Sequence, residues 1–403
     1  MKKVLFSLAF AVMLFSSCGS DENVPVTSNT GDLVAEVTFD DFTAKAVSST
    51  AIPVTSWSNV NKIQLFLYNS GTGSVAFSDI IDPSISSDKT FKWTNVPEGT
   101  YDLAIVANIN EDNVATSLDG GANWVKFDAY NVINKALNTD LFIDLKKSNL
   151  PAGHTFTGKN PYAPASEIFT AYASNVKIEE GKTTDLSGAA STLKLKREIS
   201  LMRIRVDKTN KTDAPALSSV DFANAKNFLA VENMPVGLGL KVGTFAGGIY
   251  STASDASRIM IASEGVNTYN TADPASTSYN PTAIIDAQFT LWKDIQILPN
   301  ATLAEAKAPS GDAARRYFII LSGWAPAGYK YADGTVAAVA QPVYWAGSVK
   351  GVFSPNVVRE VNMTIKSKGY PQIPNPQPEG ELIIEVGAPE NWNSNIESEP
   401  LDV

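Results

Sequence analysis

"DLVAEVTFDDF", residues 32–42, alternates strictly: Leu33, Ala35, Val37 and Phe39 fall on one face, Val34, Glu36, Thr38 and Asp40 on the other. Successive side chains of extended backbone point to opposite faces, so a period of two reads as a half-buried β-strand. The reading predicts a strand over 32–42 inside an N-terminal sandwich, with Leu33, Val37 and Phe39 buried. A polar tether (19–31) precedes it, and a small connector, "TAKAVSS" (43–49), carries Lys45 after it.

The rest of the chain is written in the same way. "NKIQLFLYNSGTG" (61–73) sets Ile63, Leu65 and Leu67 against Gln64, Phe66 and Tyr68 and ends in a turn. "EGTYDLAIVANIN" (98–110), "RRYFIILSGW" (315–324) and "REVNMTIKSKG" (359–369) repeat the pattern. "LKLKREISLMRIRVD" (193–207) sets Leu193 and Leu195, then Ile204 and Val206, against a basic face. Short apolar runs between Gly, Asn, Asp, Ser and Pro clusters read as an all-β chain of sandwiches. Helical periodicity is confined to pieces such as "AYNVINKAL" (129–137), and "TTDLSGAAST" (183–192) is the most loop-like stretch near the middle.

At the start, Lys2 and Lys3 precede an apolar run from Val4 to Phe15, then Ser16, Ser17 and Cys18, the one cysteine among 403 residues. This is a secretory signal over 1–17, shorter than the ~20 apolar residues a membrane span needs. A signal that ends at Cys resembles a lipobox, with Phe15 where Leu is usual, and Cys18 is then acylated and becomes the mature N-terminus. Two or three acyl chains, at ~0.8 kcal/mol per buried CH₂, hold such a protein on a membrane almost permanently. The acidic "SDEN" (20–23) resembles the export signal of lipoproteins carried to the outer face of the outer membrane in Bacteroidetes-type bacteria.

With 44% apolar and 18% charged residues there is material for large cores, and the chain is long enough for two domains of ~100–200 residues. A net charge of −10 argues against nucleic acid. The lone His154 and the lone Cys18 exclude His- or Cys-cluster metal sites and every Ser/His or Cys/His nucleophile except one that uses His154. His154 sits in a Pro/Gly loop, "NLPAGHTFTGKNPYAP" (149–164), and reads as a solvated loop residue. "GLGLKVG" (237–243) lacks the spacing and context of a nucleotide-binding loop and reads as a loop or strand bend. The seven Trp read mainly as core. No catalytic residues, cofactor or metal are expected.

At the end, "KGYPQIPNPQPEG" (368–380) is too Pro-rich for a central strand. "ELIIEVGAPENW" (381–392) follows, with Leu382, Ile384 and Val386 alternating with Ile383 and Glu385. A strand on a semi-rigid arm either folds back on its own domain, links to a further module, or is offered to another molecule.

Five blocks, in order, resemble FimA-type fimbrillins, the subunits of Bacteroidetes type V pili: "GDLVAEVTFDDFTAKA", "NKIQLFLYN" with "YDLAIVAN", "LKREISLMRIRV", the block 341–369, and the Pro-rich arm with its last strand and Trp392. The resemblance runs over nearly the whole chain. It implies two transthyretin-like (Ig-like) β-sandwiches, with a lipidated propeptide (18–45), an N-terminal sandwich (46–190), a C-terminal sandwich (191–370), and an arm with a donor strand (371–403). It implies no enzymatic activity and no cofactor. An outer-membrane maturation protease would cut in the connector, releasing the pro-strand that carries Leu33, Val37 and Phe39. The C-terminal strand of a neighbouring subunit, through Leu382, Ile384 and Val386, would fill the vacated groove.

The partners implied are other copies and related pilin subunits, that protease, the outer membrane through lipid before processing, and a surface ligand of unknown identity. The precursor would sit on the outer membrane and the product in an extracellular, adhesive fimbrium. The family's cut follows Arg, whereas the first Arg here is Arg197 and the connector offers only Lys45, so the expected bond is Lys45–Ala46. A subunit that kept its pro-strand and lipid would resemble an anchor, and the full C-terminal arm favours a stalk unit over a tip. A surface glycan-binding lipoprotein, with an exposed Trp/Tyr platform and an internally packed last strand, is the alternative of another class. A lipoprotein hydrolase would need His154 or a carboxylate pair in a cleft.

Overall fold

The computed structural model describes residues 29–39, 46–47, 50–51, 57, 60, 62–107, 114–115, 132–137, 142–143, 145, 147–165, 167–188, 191–207, 217–222, 224–232, 238–239, 258–263, 289–299, 316–350, 353–374, 382–386 and 390–391. The chain is all-β. In order, the N-terminal part runs β1 (Thr30–Phe39), β2 (Ala46–Val47), β3 (Thr50–Ala51), β4 (Ile63–Tyr68), β5 (Val75–Ile81), β6 (Thr90–Pro97) and β7 (Gly99–Ala107). It continues with β8 (Val114–Ala115), β9 (Phe142–Ile143), β10 (Asn160–Tyr162), β11 (Phe169–Ile178), β12 (Thr183–Leu186) and β13 (Leu193–Arg197). Then come β14 (Ser200–Asp207), β15 (Phe228–Glu232), β16 (Leu238–Gly239), β17 (Arg258–Ser263), β18 (Phe289–Ile297) and β19 (Arg316–Ala325). The last are β20 (Gln341–Lys350), β21 (Val357–Ile365), β22 (Leu382–Val386) and β23 (Glu390–Asn391).

Two layers form the N-terminal unit. One is β12-β1-β6, the other β13-β11-β7-β4-β5, and they join where Val37–Phe39 of β1 pairs with Leu193–Leu195 of β13. Between them Leu33, Ala35 and Val37 meet Ile63, Leu65, Leu67, Phe91, Trp93, Leu103 and Ile105. The other face of β4 is buried too. Phe66 and Tyr68 join a second core with Val132, Leu137, Leu145 and Tyr162, from the long connection between β7 and β11. That connection folds over the sheet, so β4 is apolar on both faces.

Two five-stranded sheets follow, β10-β17-β15-β19-β20 and β18-β14-β21-β22, with β23 also on β21. Leu201, Ile204, Val231, Ile319, Trp345, Val361 and Met363 fill the space between them and continue the second core.

Two expectations of local structure are corrected, at 183–186 and at 132–137. Thr183–Leu186, expected as loop, is strand β12, running parallel to Asp32–Ala35 of β1. Its polar residues carry no alternation signal, and its partner lies far away in the chain. β13, placed after the expected break at 190, pairs with β1 and β11 of the N-terminal unit. Val132–Leu137 is a turn rather than helix: Asn134 N–H donates to the Val75 carbonyl and Val75 N–H to the Lys135 carbonyl, so its backbone groups are used across to β5. Residues 129–131 of that stretch lie outside the described residues.

Candidate functional site: the seat of the first strand

β1 is held along both edges. Asp32–Ala35 pairs in parallel with Thr183–Leu186, and the same residues pair antiparallel with Phe91–Trp93 of β6 and their neighbours. Main-chain bonds extend the seat at each end: Asp32 N–H to the Lys182 carbonyl at 2.8 Å, and Val37 N–H to the Lys89 carbonyl at 3.0 Å. Leu33, Ala35 and Val37 are each 0% exposed. A strand buried on one face and paired on both sides leaves, once removed, an apolar groove between two rows of unsatisfied N–H and C=O groups.

Local chemistry fixes β1 lengthwise. Gly31 lies where the pairing with β6 shifts register. A Cβ there would stand 2.4 Å from the Glu179 carbonyl oxygen and 2.8 Å from that of Lys182, so only glycine passes. The Glu179 carboxylate accepts from Lys177 at 2.8 Å and Lys182 at 2.9 Å, and those bonds hold its pKa down at about 2. Asp32 pairs with Lys92 of β6 at 2.6 Å, and Thr192 donates to Glu36 at 3.3 Å. At the far end the Phe39 ring meets Trp57 (4.6 Å) and Phe169 (5.2 Å), and Lys89 lies over Trp57. Phe39 itself is half-buried, and 40–42 lie outside the described residues.

Cys18 and Lys45 lie outside the described residues, and Ala46 opens β2, which pairs with β3. The C-terminal strand does not pair with β1. Leu382, Ile384 and Val386 are opposite Ile365, Met363 and Val361 in an antiparallel ladder between β22 and β21. In a single chain this strand therefore folds back and pairs with its own second unit. Among the described residues it is paired along one edge, at the end of its sheet. Sequence reading missed the walls of the seat. Gly31 was the available sign, since a glycine at the head of an alternating strand marks close backbone approach.

His154 is not a solvated loop residue. Its Nε2 bonds the Lys226 carbonyl at 2.8 Å, so that nitrogen carries the hydrogen, and Nδ1 accepts from the Tyr344 hydroxyl at 2.7 Å. Phe228, Trp324 and Tyr344 box the ring, and burial pushes its pKa below the ordinary value. With both nitrogens committed it offers nothing to a substrate. Trp93 and Trp345 are buried, Trp57 lies under Phe39 and Lys89, and Trp324 lies under Lys226. Among the described residues no three His, Cys, Asp or Glu converge as a metal site.

Residues 36–234, just under half of the chain, match the family described as fimbrillin-A associated anchor proteins Mfa1 and Mfa2. No curated protein matches. Among solved structures, the chain is 12% identical to a candidate cell adhesion protein from Parabacteroides distasonis, covering 91% of this chain and 98% of that one at a TM-score of 0.44. It is 10% identical to a fimbrilin (FimA) from Porphyromonas gingivalis, covering 89% and 96% at a TM-score of 0.37. It is 11% identical to the tip fimbrial protein Mfa3 from the same species, covering 89% and 99% at a TM-score of 0.33. The family match makes the chain similar to structural components of fimbriae.

Proposed function

We propose that the chain is a structural subunit of a cell-surface adhesive fimbria, exported as a lipoprotein on Cys18 and assembled by strand exchange at the seat of β1. The observation that carries this reading is β1 itself. An N-terminal strand supplies three fully buried side chains and both ladders of a sandwich, yet a connector with a single basic residue follows it. Cutting after Lys45 frees β1 from everything but non-covalent bonds. Its departure exposes a groove that another copy's C-terminal strand fills, and the contact is head-to-tail and open, so it propagates. β22, paired along one edge and packed against β20, is the end strand of its sheet and can leave by giving up that ladder and that packing.

A second role within the same fimbria has its own support. A chain that kept β1 and its lipid would end the fimbria at the membrane as an anchor. The matching family is described as fimbrillin-A associated anchor proteins, and Lys45 stands where the resemblance calls for Arg.

Mass spectrometry of fimbriae sheared from cells separates the two. Chains beginning at Ala46 make it a stalk unit, and chains beginning only at lipidated Cys18 make it an anchor. Its absence from every filament-bearing fraction overturns the fimbrial reading.

A further inference from the structure

The strand that ends the chain repeats the strand that begins it. Gly31-Asp32-Leu33-Val34-Ala35-Glu36-Val37 is matched by Gly380-Glu381-Leu382-Ile383-Ile384-Glu385-Val386, identical at Gly, Leu, Glu and Val. Two further positions exchange aliphatic for aliphatic, and one exchanges acid for acid. Alternation alone accounts for apolar residues at every second place. It does not call for glycine at the head of both strands, nor for an acid at the same two polar positions.

We infer that residues 380–386 of a second copy enter the groove in the direction and register of β1, with Gly380 in the place of Gly31 acting as the register key. The inference rests on the strand-exchange reading and adds to it the alignment of the incoming strand. Each matched position has a reason on the groove side. Gly31 is met by the Glu179 and Lys182 carbonyl oxygens, which leave no room for a Cβ, so a strand slipped by one or two residues would drive Glu381 or Leu382 into them. The Asp32 carboxylate holds Lys92 at 2.6 Å, and Glu381 brings the same charge to the same lysine. Glu36 accepts from Thr192, and Glu385 takes that place. Leu382 and Val386 reproduce Leu33 and Val37. Ile384 stands where β1 has only Ala35, the one place in the buried row where the incoming side chain is larger, so the groove must widen there to seat it.

Paired cysteines test the register, because residues opposite one another across a ladder lie within disulfide reach. Val34 is opposite Lys92 in β1, so the inferred register sets Ile383 of one copy opposite Lys92 of the next, whereas within one chain Ile383 is opposite Thr364. Full chains carrying Cys18→Ser, which leaves no native cysteine, are folded, cut by limited trypsin and oxidised. Ile383→Cys with Lys92→Cys is expected to give an intermolecular ladder on non-reducing gels after cutting and none before, and Glu385→Cys with Lys92→Cys none at all. A ladder from the Glu385 pair instead would overturn the register while leaving strand exchange standing. If neither pair links copies, and Ile383→Cys with Thr364→Cys closes only within single chains, the exchange reading falls with it. Independently, Gly380→Val is expected to abolish filaments and leave the melting of the uncut chain unchanged. Filaments of normal length from that variant would overturn the role given to Gly380.

Discussion

Phe39, the last residue of β1, packs against Trp57, with ring centroids 4.6 Å apart and planes inclined at 46°. The contact ties the end of the first strand to a residue beyond the connector, so the indole reports whether β1 is in place. Cutting after Lys45 followed by loss of β1 is expected to shift Trp57 emission to longer wavelength as water reaches the ring. Trp57→Phe should remove that component. In the uncut chain Phe39→Ala should cost about 2 kcal/mol in urea unfolding, less than a fully buried Phe because this ring is half-buried.

The inner face of β1 carries its stability. Leu33→Ala is expected to lower the unfolding free energy of the uncut chain by ~2–5 kcal/mol, as for other fully buried leucines. Val34→Thr, on the outer face, should stay within about 0.5 kcal/mol. Equal effects at both positions would contradict the placement of β1 with one face in the core.

Glu198 makes stability depend on pH. It is buried between β13 and β14, Thr170 donates to its Oε1, and its Oε2 has no partner among the described residues. Burial pushes its pKa up to about 8 from the usual 4.5. The folded chain therefore keeps this proton where the unfolded chain has lost it. The unfolded state binds fewer protons between pH 4.5 and 8, so stability is full below 4.5 and falls as pH rises towards 8, by roughly 3–5 kcal/mol in all. Chemical unfolding from pH 4.5 to 8.5 should show that slope, and Glu198→Gln should flatten it.

His154 gives a dependence of the opposite sign. Burial lowers its pKa, so below the ordinary 6.5 the unfolded chain takes a proton that the folded chain refuses. The contribution is fully present above pH 6.5 and is lost as pH falls. As the one histidine, it gives a single imidazole signal by NMR, which should titrate below the ordinary value. Tyr344→Phe removes the hydrogen bond to Nδ1 and should cost about 1 kcal/mol.

Much of the fold was legible because apolar alternation is a local signal. β4 and β7 lie within the alternating runs, β1 and β21 overlap theirs, and Leu33 and Val37 face the core as their spacing requires. What stayed hidden depends on distant partners. Thr183-Thr184-Asp185-Leu186 looks like loop until β1 lies beside it. The run after Leu193 read as apolar residues set against a basic face, and of that face Arg197 is buried, bonded to Glu167 at 2.7 Å and to Asn356 at 3.2 Å, and Arg203 is buried too. Charges go inside when partners await them, and those partners come from other parts of the chain. His154 was misread for the same reason, since Tyr344 and Lys226 are remote from its loop. Of the site, the apolar row of β1 was visible, whereas the carbonyls that make Gly31 obligatory were not.

The central claim is that the seat vacated by β1 is refilled by the C-terminal strand of another copy. Electron microscopy of the folded full chain after limited trypsin, beside the same chain ending at residue 379, tests it most directly. Filaments from the full chain, and only folded single particles from the shortened one, are the predicted result. Filaments of the same length from the shortened chain would contradict it.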